Sequence, residues 1–87
     1  MMIETTTFRL AEGVSDDVFL VTDDEVRTRF LYQQPGFARA TTARSADGEW
    51  IVIVLWMAQE YAVDLPAELF EHVDRDSIKR RRYETFG

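Results

Sequence analysis

The sequence has no cysteine and no asparagine, and only one histidine, among 87 residues. Without cysteine there is no disulfide, no thiolate nucleophile, no thiolate-bound zinc and no Cys-ligated cluster. A single histidine excludes a two-histidine metal site within one chain, and no metal is expected. No apolar run approaches the roughly 18–20 residues that span a bilayer, so no membrane segment is expected. Met1 and Met2 run straight into Ile3 and Glu4, without the charged and apolar regions of a secretory signal, so the expected location is cytoplasmic. Positive charge is also scarce. Sixteen acids face ten bases, a net charge of −6. Lys79, Arg80, Arg81 and Arg82 form one basic run, so the remainder carries −10. A duplex-binding surface draws its affinity from phosphate neutralisation, so nucleic acid is disfavoured as a partner.

What is present is a globular composition, 46% apolar and 30% charged. A chain of this mass should expose roughly 5,300 Å² when folded against roughly 14,800 Å² when extended. That is enough burial for one core, and residues 1–87 are read as one domain.

Ile3–Leu10, rich in Thr and Phe, reads as a strand. Ser15 before Asp16 and Asp17 is helix-start chemistry, because a hydroxyl and two acids meet unpaired N–H groups and the positive dipole end. Phe19, Val26, Phe30 and Gln33 recur at helical spacing, with Thr22 filling the stripe. Asp23, Asp24, Glu25, Arg27 and Arg29 are assigned to the wet face. The helix is expected from about Asp16 to Gln33, stopped by Pro35-Gly36. Phe37–Arg44 and Glu49–Met57 read as strands joined at Asp47-Gly48, a hairpin dipeptide. A second helix is expected over Ala58–Val63, interrupted at Leu65-Pro66 and resuming through Ala67–Val73. Ser77–Thr85 completes the order as a last strand. The order β-α-β-β-α-β is the split ferredoxin-like arrangement, an α+β fold with a four-stranded antiparallel sheet and two helices on one face.

Glu49–Met57 is apolar on both faces. Trp50, Val52, Val54 and Trp56 share one, and Ile51, Ile53, Leu55 and Met57 the other. Two helices cover only one face of such a sheet, and the chain has nothing left for the second. The economical cover is another copy of the chain, sheet against sheet, so a homodimer is expected. Burying Ile51, Ile53 and Leu55 there would contribute about 5 kcal/mol at roughly 1.5–3 kcal/mol per side chain. The plainer alternative is a monomer with one partly wet apolar face.

The run Phe19-x(10)-Phe30-x(3)-Gln34-Pro35-Gly36-Phe37, then Asp47-Gly48-x-Trp50, then Trp56 and a short acidic segment, resembles the dimeric α+β barrel superfamily, which includes antibiotic-biosynthesis monooxygenase-like proteins. The resemblance spans nearly the whole chain. It implies that the Trp50/Trp56 face meets the helices and that Ile51, Ile53 and Leu55 enter the dimer barrel. It further implies that Trp56 and nearby Tyr61 line a pocket for a planar aromatic or polyketide-like substrate, oxidised by oxygen with no cofactor. Activity is not carried by the fold, whose members include oxygenases, isomerases, haem enzymes and proteins of no known role. The alternative function is a non-catalytic dimeric module that assembles or sequesters a ligand, with these aromatics as core.

Other residues carry two readings each. Arg39, and with it Trp50, completes the substrate-binding candidates; Arg39 could hold a carboxylate or phenolate bidentately and stabilise oxyanion charge. Arg44 has opposite parity to Arg39. Glu4 could be a buried partner for an Arg or a base. Solvated ion pairing is the plainer account of all three. His72, among Glu71, Val73 and Asp74, suits a surface position near a helix end better than a haem ligand or general base. The Asn, Trp and His set of haem-degrading members fails at its first residue. Lys79–Arg82 suits a protected edge strand better than an RNA-binding tail. Asp16-Asp17 and Asp23-Asp24 lack the loop spacing of a calcium site.

Overall fold

In the computed structural model, which describes residues 1–87, β1 (Met2–Leu10) leads through Gly13 to α1 (Asp16–Arg29). The Ser15 hydroxyl accepts a 3.3 Å hydrogen bond from the Val18 N–H, and Asp16 and Asp17 occupy the first turn. The helix relaxes into a 3₁₀ turn at Leu31–Gln33, and Gly36, at φ +75°, turns the chain into β2 (Phe37–Arg44). β3 (Trp50–Trp56) follows the Asp47-Gly48 hairpin, with Gly48 at φ +94°. β4 (Val73–Glu84) closes the fold. The sheet is antiparallel throughout, in the order β2-β3-β1-β4, which is the ferredoxin-like topology.

The register sorts the side chains. Met2, Glu4, Thr6 and Phe8 of β1 lie opposite Trp56, Val54, Val52 and Trp50 of β3, and all eight are buried. α1 lays Phe19 and Val26 on this face. Phe19 packs between Phe8, at 5.3 Å between ring centroids, and Trp50, at 4.9 Å. Ile51, Ile53 and Leu55 lie on the other face with Ile3, half-buried, and no element of the chain covers them.

Three expectations are corrected. The second α-helix does not form. Two 3₁₀ turns, Gln59–Tyr61 and Ala67–Phe70, stand in its place, and neither has a side-chain cap. Pro66 sits at ψ 150°, and its ring and missing N–H bar a continuous ladder through Val63–Leu69. The buried stripe of α1 is Phe19, Asp23 and Val26, so Asp23 leaves the wet face. Its carboxylate accepts from the Thr42 hydroxyl at 3.0 Å and from the Arg27 guanidinium at 3.2 Å. Arg27 also reaches the Ala40 carbonyl at 3.2 Å, so the network fastens α1 to β2. The last strand begins at Val73 rather than Ser77.

Candidate functional site

At the C-terminal end of β3, Trp56 is fully enclosed. Phe37 meets it edge-on at 6.0 Å, and Tyr32 lies 5.5 Å from Phe37. The Trp56 indole Nε1–H is buried without an acceptor. An indole N–H can only donate, and leaving one unmade costs about 1–3 kcal/mol. Tyr61 follows in the Gln59–Tyr61 3₁₀ turn and lays its exposed ring against Gly36, where a Cβ would lie 2.2 Å from the Tyr61 ring. The Met57 N–H donates to the Gly36 carbonyl at 2.7 Å, which pins this corner to the end of β3. Trp56, Phe37, Tyr32 and Tyr61 thus gather about the Pro35-Gly36 turn.

Two clefts open on the surface. One, of about 350 Å³, lies at this end of the sheet and is lined by Met2, Ala58, Gln59, Arg82 and Tyr83, among others. Met2 is the cross-strand partner of Trp56. The other, of about 290 Å³, lies between the Ala67–Phe70 turn and β4. Neither is lined by Trp56, Tyr61, Trp50 or Arg39.

Trp50 shares the face of Trp56 but stands six residues away, roughly 20 Å along the strand, inside the Phe8–Phe19 cluster. Arg39 lies opposite Leu55, on the face away from α1. The sheet therefore separates Arg39 from Trp56, and within one chain the two do not meet on one ligand. Arg39 instead borders the Ile51/Ile53/Leu55 surface. Arg44 is on the helix side, paired with Asp16 and 5.9 Å from the Trp50 ring centre.

Glu4 is not a solvated ion pair. It is 5% exposed, and its carboxylate accepts from Arg82 Nε at 2.8 Å. Arg82 also approaches Asp64 at 3.6 Å. The Glu4–Arg82 pairing was hidden because it joins residues 78 apart in sequence; only the β1–β4 register reveals it. His72 is half-buried at the start of β4, and its backbone carbonyl accepts from the Ala11 N–H at 2.8 Å. The basic run does lie on an edge strand. Lys79 and Arg81 fall on the open face, Arg80 and Arg82 on the helix side.

No family model matches the chain, and no curated protein matches it. Among solved structures it is similar to SnoaB, a cofactor-independent oxygenase from Streptomyces nogalater, with a TM-score of 0.77 at 15% identity, over 99% of this chain and 93% of that one. It is also similar to an antibiotic biosynthesis monooxygenase, with a TM-score of 0.74 at 13% identity, over the full length of both chains. The shared feature is the backbone path from strand through helix to four-stranded sheet. The chain therefore has the fold of the antibiotic biosynthesis monooxygenase-like proteins.

Proposed function

We propose that this protein is one ferredoxin-like domain over residues 1–87, working as half of a dimeric α+β barrel, and that it binds a small planar aromatic molecule at the Trp56 corner. The observation that carries the reading is the buried, unpaired Trp56 indole N–H. A donor left unmade in a core is costly and calls for an explanation, and an acceptor oxygen on a bound ring would supply one. Aromatic rings at this corner offer stacking, and the Tyr61 ring, part-exposed, lies against Gly36.

The finer reading is oxidation of that ring by oxygen without a cofactor, supported by the likeness in fold to SnoaB, a cofactor-independent oxygenase. An electron-rich phenolate can give electrons to oxygen by itself. The protein then has to bind and orient the ring, exclude water and stabilise the anion. At this corner Trp56 would donate to the ring oxygen while Phe37 and Tyr61 enclose it. The second reading, a non-catalytic dimeric module, is favoured by the close packing of Trp56 against Phe37.

Tryptophan fluorescence decides between them. Trp50→Phe leaves Trp56 as the one reporter. Saturable quenching of that variant by hydroxylated aromatics or quinones supports the pocket and warrants oxygen-uptake measurements with the same compounds. A folded dimer that responds to none of them supports the module.

A further inference from the structure

The smaller cleft is built by an irregularity in β4. β1 and β4 pair Thr7 with Lys79 and then Arg9 with Asp74. Two steps on β1 thus face five on β4, and Arg75–Ile78 bulges from the ladder. Ser77 anchors the bulge. Its hydroxyl accepts from the Arg9 N–H at 2.8 Å and donates to the Asp74 carbonyl at 2.6 Å. In a regular strand, residues five apart point to opposite faces. Arg75 and Arg80 are five apart, yet both line the same cleft of about 290 Å³. Redirecting a side chain is a recognised use of a β-bulge beside a site.

The cleft lies between the segment that carries the Ala67–Phe70 turn and β4. Where a helix would cover the β4 side of the sheet, only the Ala67–Phe70 turn remains. Leu65, Phe70 and Ile78 form an apolar lining. The Arg80 guanidinium sits 5.4 Å from the Phe70 ring centre, which orients it over that lining. Neither Arg75 nor Arg80 has a carboxylate partner, whereas Arg9, Arg27, Arg44 and Arg82 do. Asp64, on the rim, is engaged by Arg82 at 3.6 Å. Two guanidinium groups over an apolar lining, with one carboxylate at the rim, match a single negative charge on an apolar body. The volume is at the small end of ligand pockets, which run from about 300 Å³.

The geometry points to a second ligand site here, for a small monocarboxylate with one ring or a short hydrocarbon body. Arg75 and Arg80 hold the carboxylate, and Leu65, Phe70 and Ile78 take the apolar part. Planar guanidinium donors match a carboxylate edge, and the Asp64 carboxylate disfavours a doubly charged group. The site is independent of the Trp56 corner. It lies on the helix side of the sheet, so pairing of two chains through Ile51, Ile53 and Leu55 leaves it open.

The test is a titration of the ¹⁵N-labelled protein with benzoate, followed by amide and Arg Nε–H shifts. Benzyl alcohol and inorganic phosphate, at matched ionic strength, are the comparisons. Saturable shifts over Phe70 and Arg75–Arg80 with a Kd at or below about 1 mM are expected. The affinity should weaken at least about tenfold in Arg80→Gln and in Arg75→Gln. Arg80→Lys, which keeps the charge and loses the planar fork, should recover it only in part. Well-dispersed spectra of the variants establish that they fold. The proposal is overturned by the absence of saturable shifts, by binding unchanged in the folded Arg75→Gln/Arg80→Gln variant, or by phosphate binding as tightly as benzoate.

Discussion

Trp56 is the residue on which the functional reading turns, and its burial makes two opposed contributions. Its ring fills the end of the core, while its indole N–H goes unpaired. Trp56→Phe leaves a small cavity but removes the orphan donor. The two terms are of similar size, so we expect a net stability change within about 1 kcal/mol in urea unfolding. Binding of the aromatic ligand, followed by calorimetry, should be lost. A loss of several kcal/mol with binding intact would make Trp56 a core residue only. Gly36 is sensitive for a different reason. Its φ of +75° is strained for any side chain, and a Cβ would overlap the Tyr61 ring. Gly36→Ala should cost about 2–4 kcal/mol. In a Tyr61→Ala background the overlap is gone and only the backbone part, about 1–2 kcal/mol, should remain. The double-mutant cycle thus measures how firmly Tyr61 closes the corner.

Among elements, the two junctions that hold α1 and the β2–β3 hairpin are polar and respond to different probes. The Asp23–Arg27–Thr42 network ties α1 to β2 below the surface. Arg27→Ala leaves the Asp23 carboxylate buried with Thr42 as its remaining partner, and should cost about 2–4 kcal/mol in urea unfolding. In the hairpin, hydrogen bonds from the Ser45 hydroxyl, then from Arg9, then from the Glu49 N–H hold the Asp47 carboxyl below its ordinary value of 3.8. A depressed folded value means that the charged form favours the fold. The contribution is present above the ordinary carboxylate range and is lost as pH falls through the folded value. Asp47→Asn keeps the hairpin dipeptide chemistry but removes the charge. Its urea midpoint should lie below wild type at neutral pH and converge with it in acid; a gap independent of pH would show that the charge is not responsible. The hairpin and the N-cap of α1 were legible in the sequence because they depend on neighbours a few residues apart. The second helix, expected in two pieces either side of Leu65-Pro66, is not formed: each piece is too short to repay helix nucleation, neither has a side-chain cap, and both close as 3₁₀ turns.

For the whole molecule, the unresolved balance is the open sheet face. Ile3, Ile51, Ile53 and Leu55 remain half-buried, with Arg39 on one flank and Lys79 and Arg81 on the other. If two copies close over this face, Ile53→Lys places an unpaired charge in the centre of the interface. The mass by light scattering should then fall from about 20 kDa, twice the 10.2 kDa chain, to that of one chain, with the circular dichroism of the monomer fold retained. A wild-type protein that already runs as one chain would remove the proposal, and the apolar face would need another occupant.

Local sequence specifies the first three strands, the existence though not the start of the fourth, the long helix, both turns around β2 and the two-faced character of β3. Each follows from local propensity or from the period-two and period-3.6 patterns, which neighbours in the chain express. Tertiary structure decided which residues meet. It buried Glu4 against Arg82, drew Asp23 into the interface between α1 and β2, and set Arg39 on the far side of the sheet from Trp56. It also turned Arg75 and Arg80 into one cleft through a bulge that no pattern of hydrophobicity announces. Pairing register and the path of a bulged edge strand depend on contacts distant in sequence, and a single sequence does not display them.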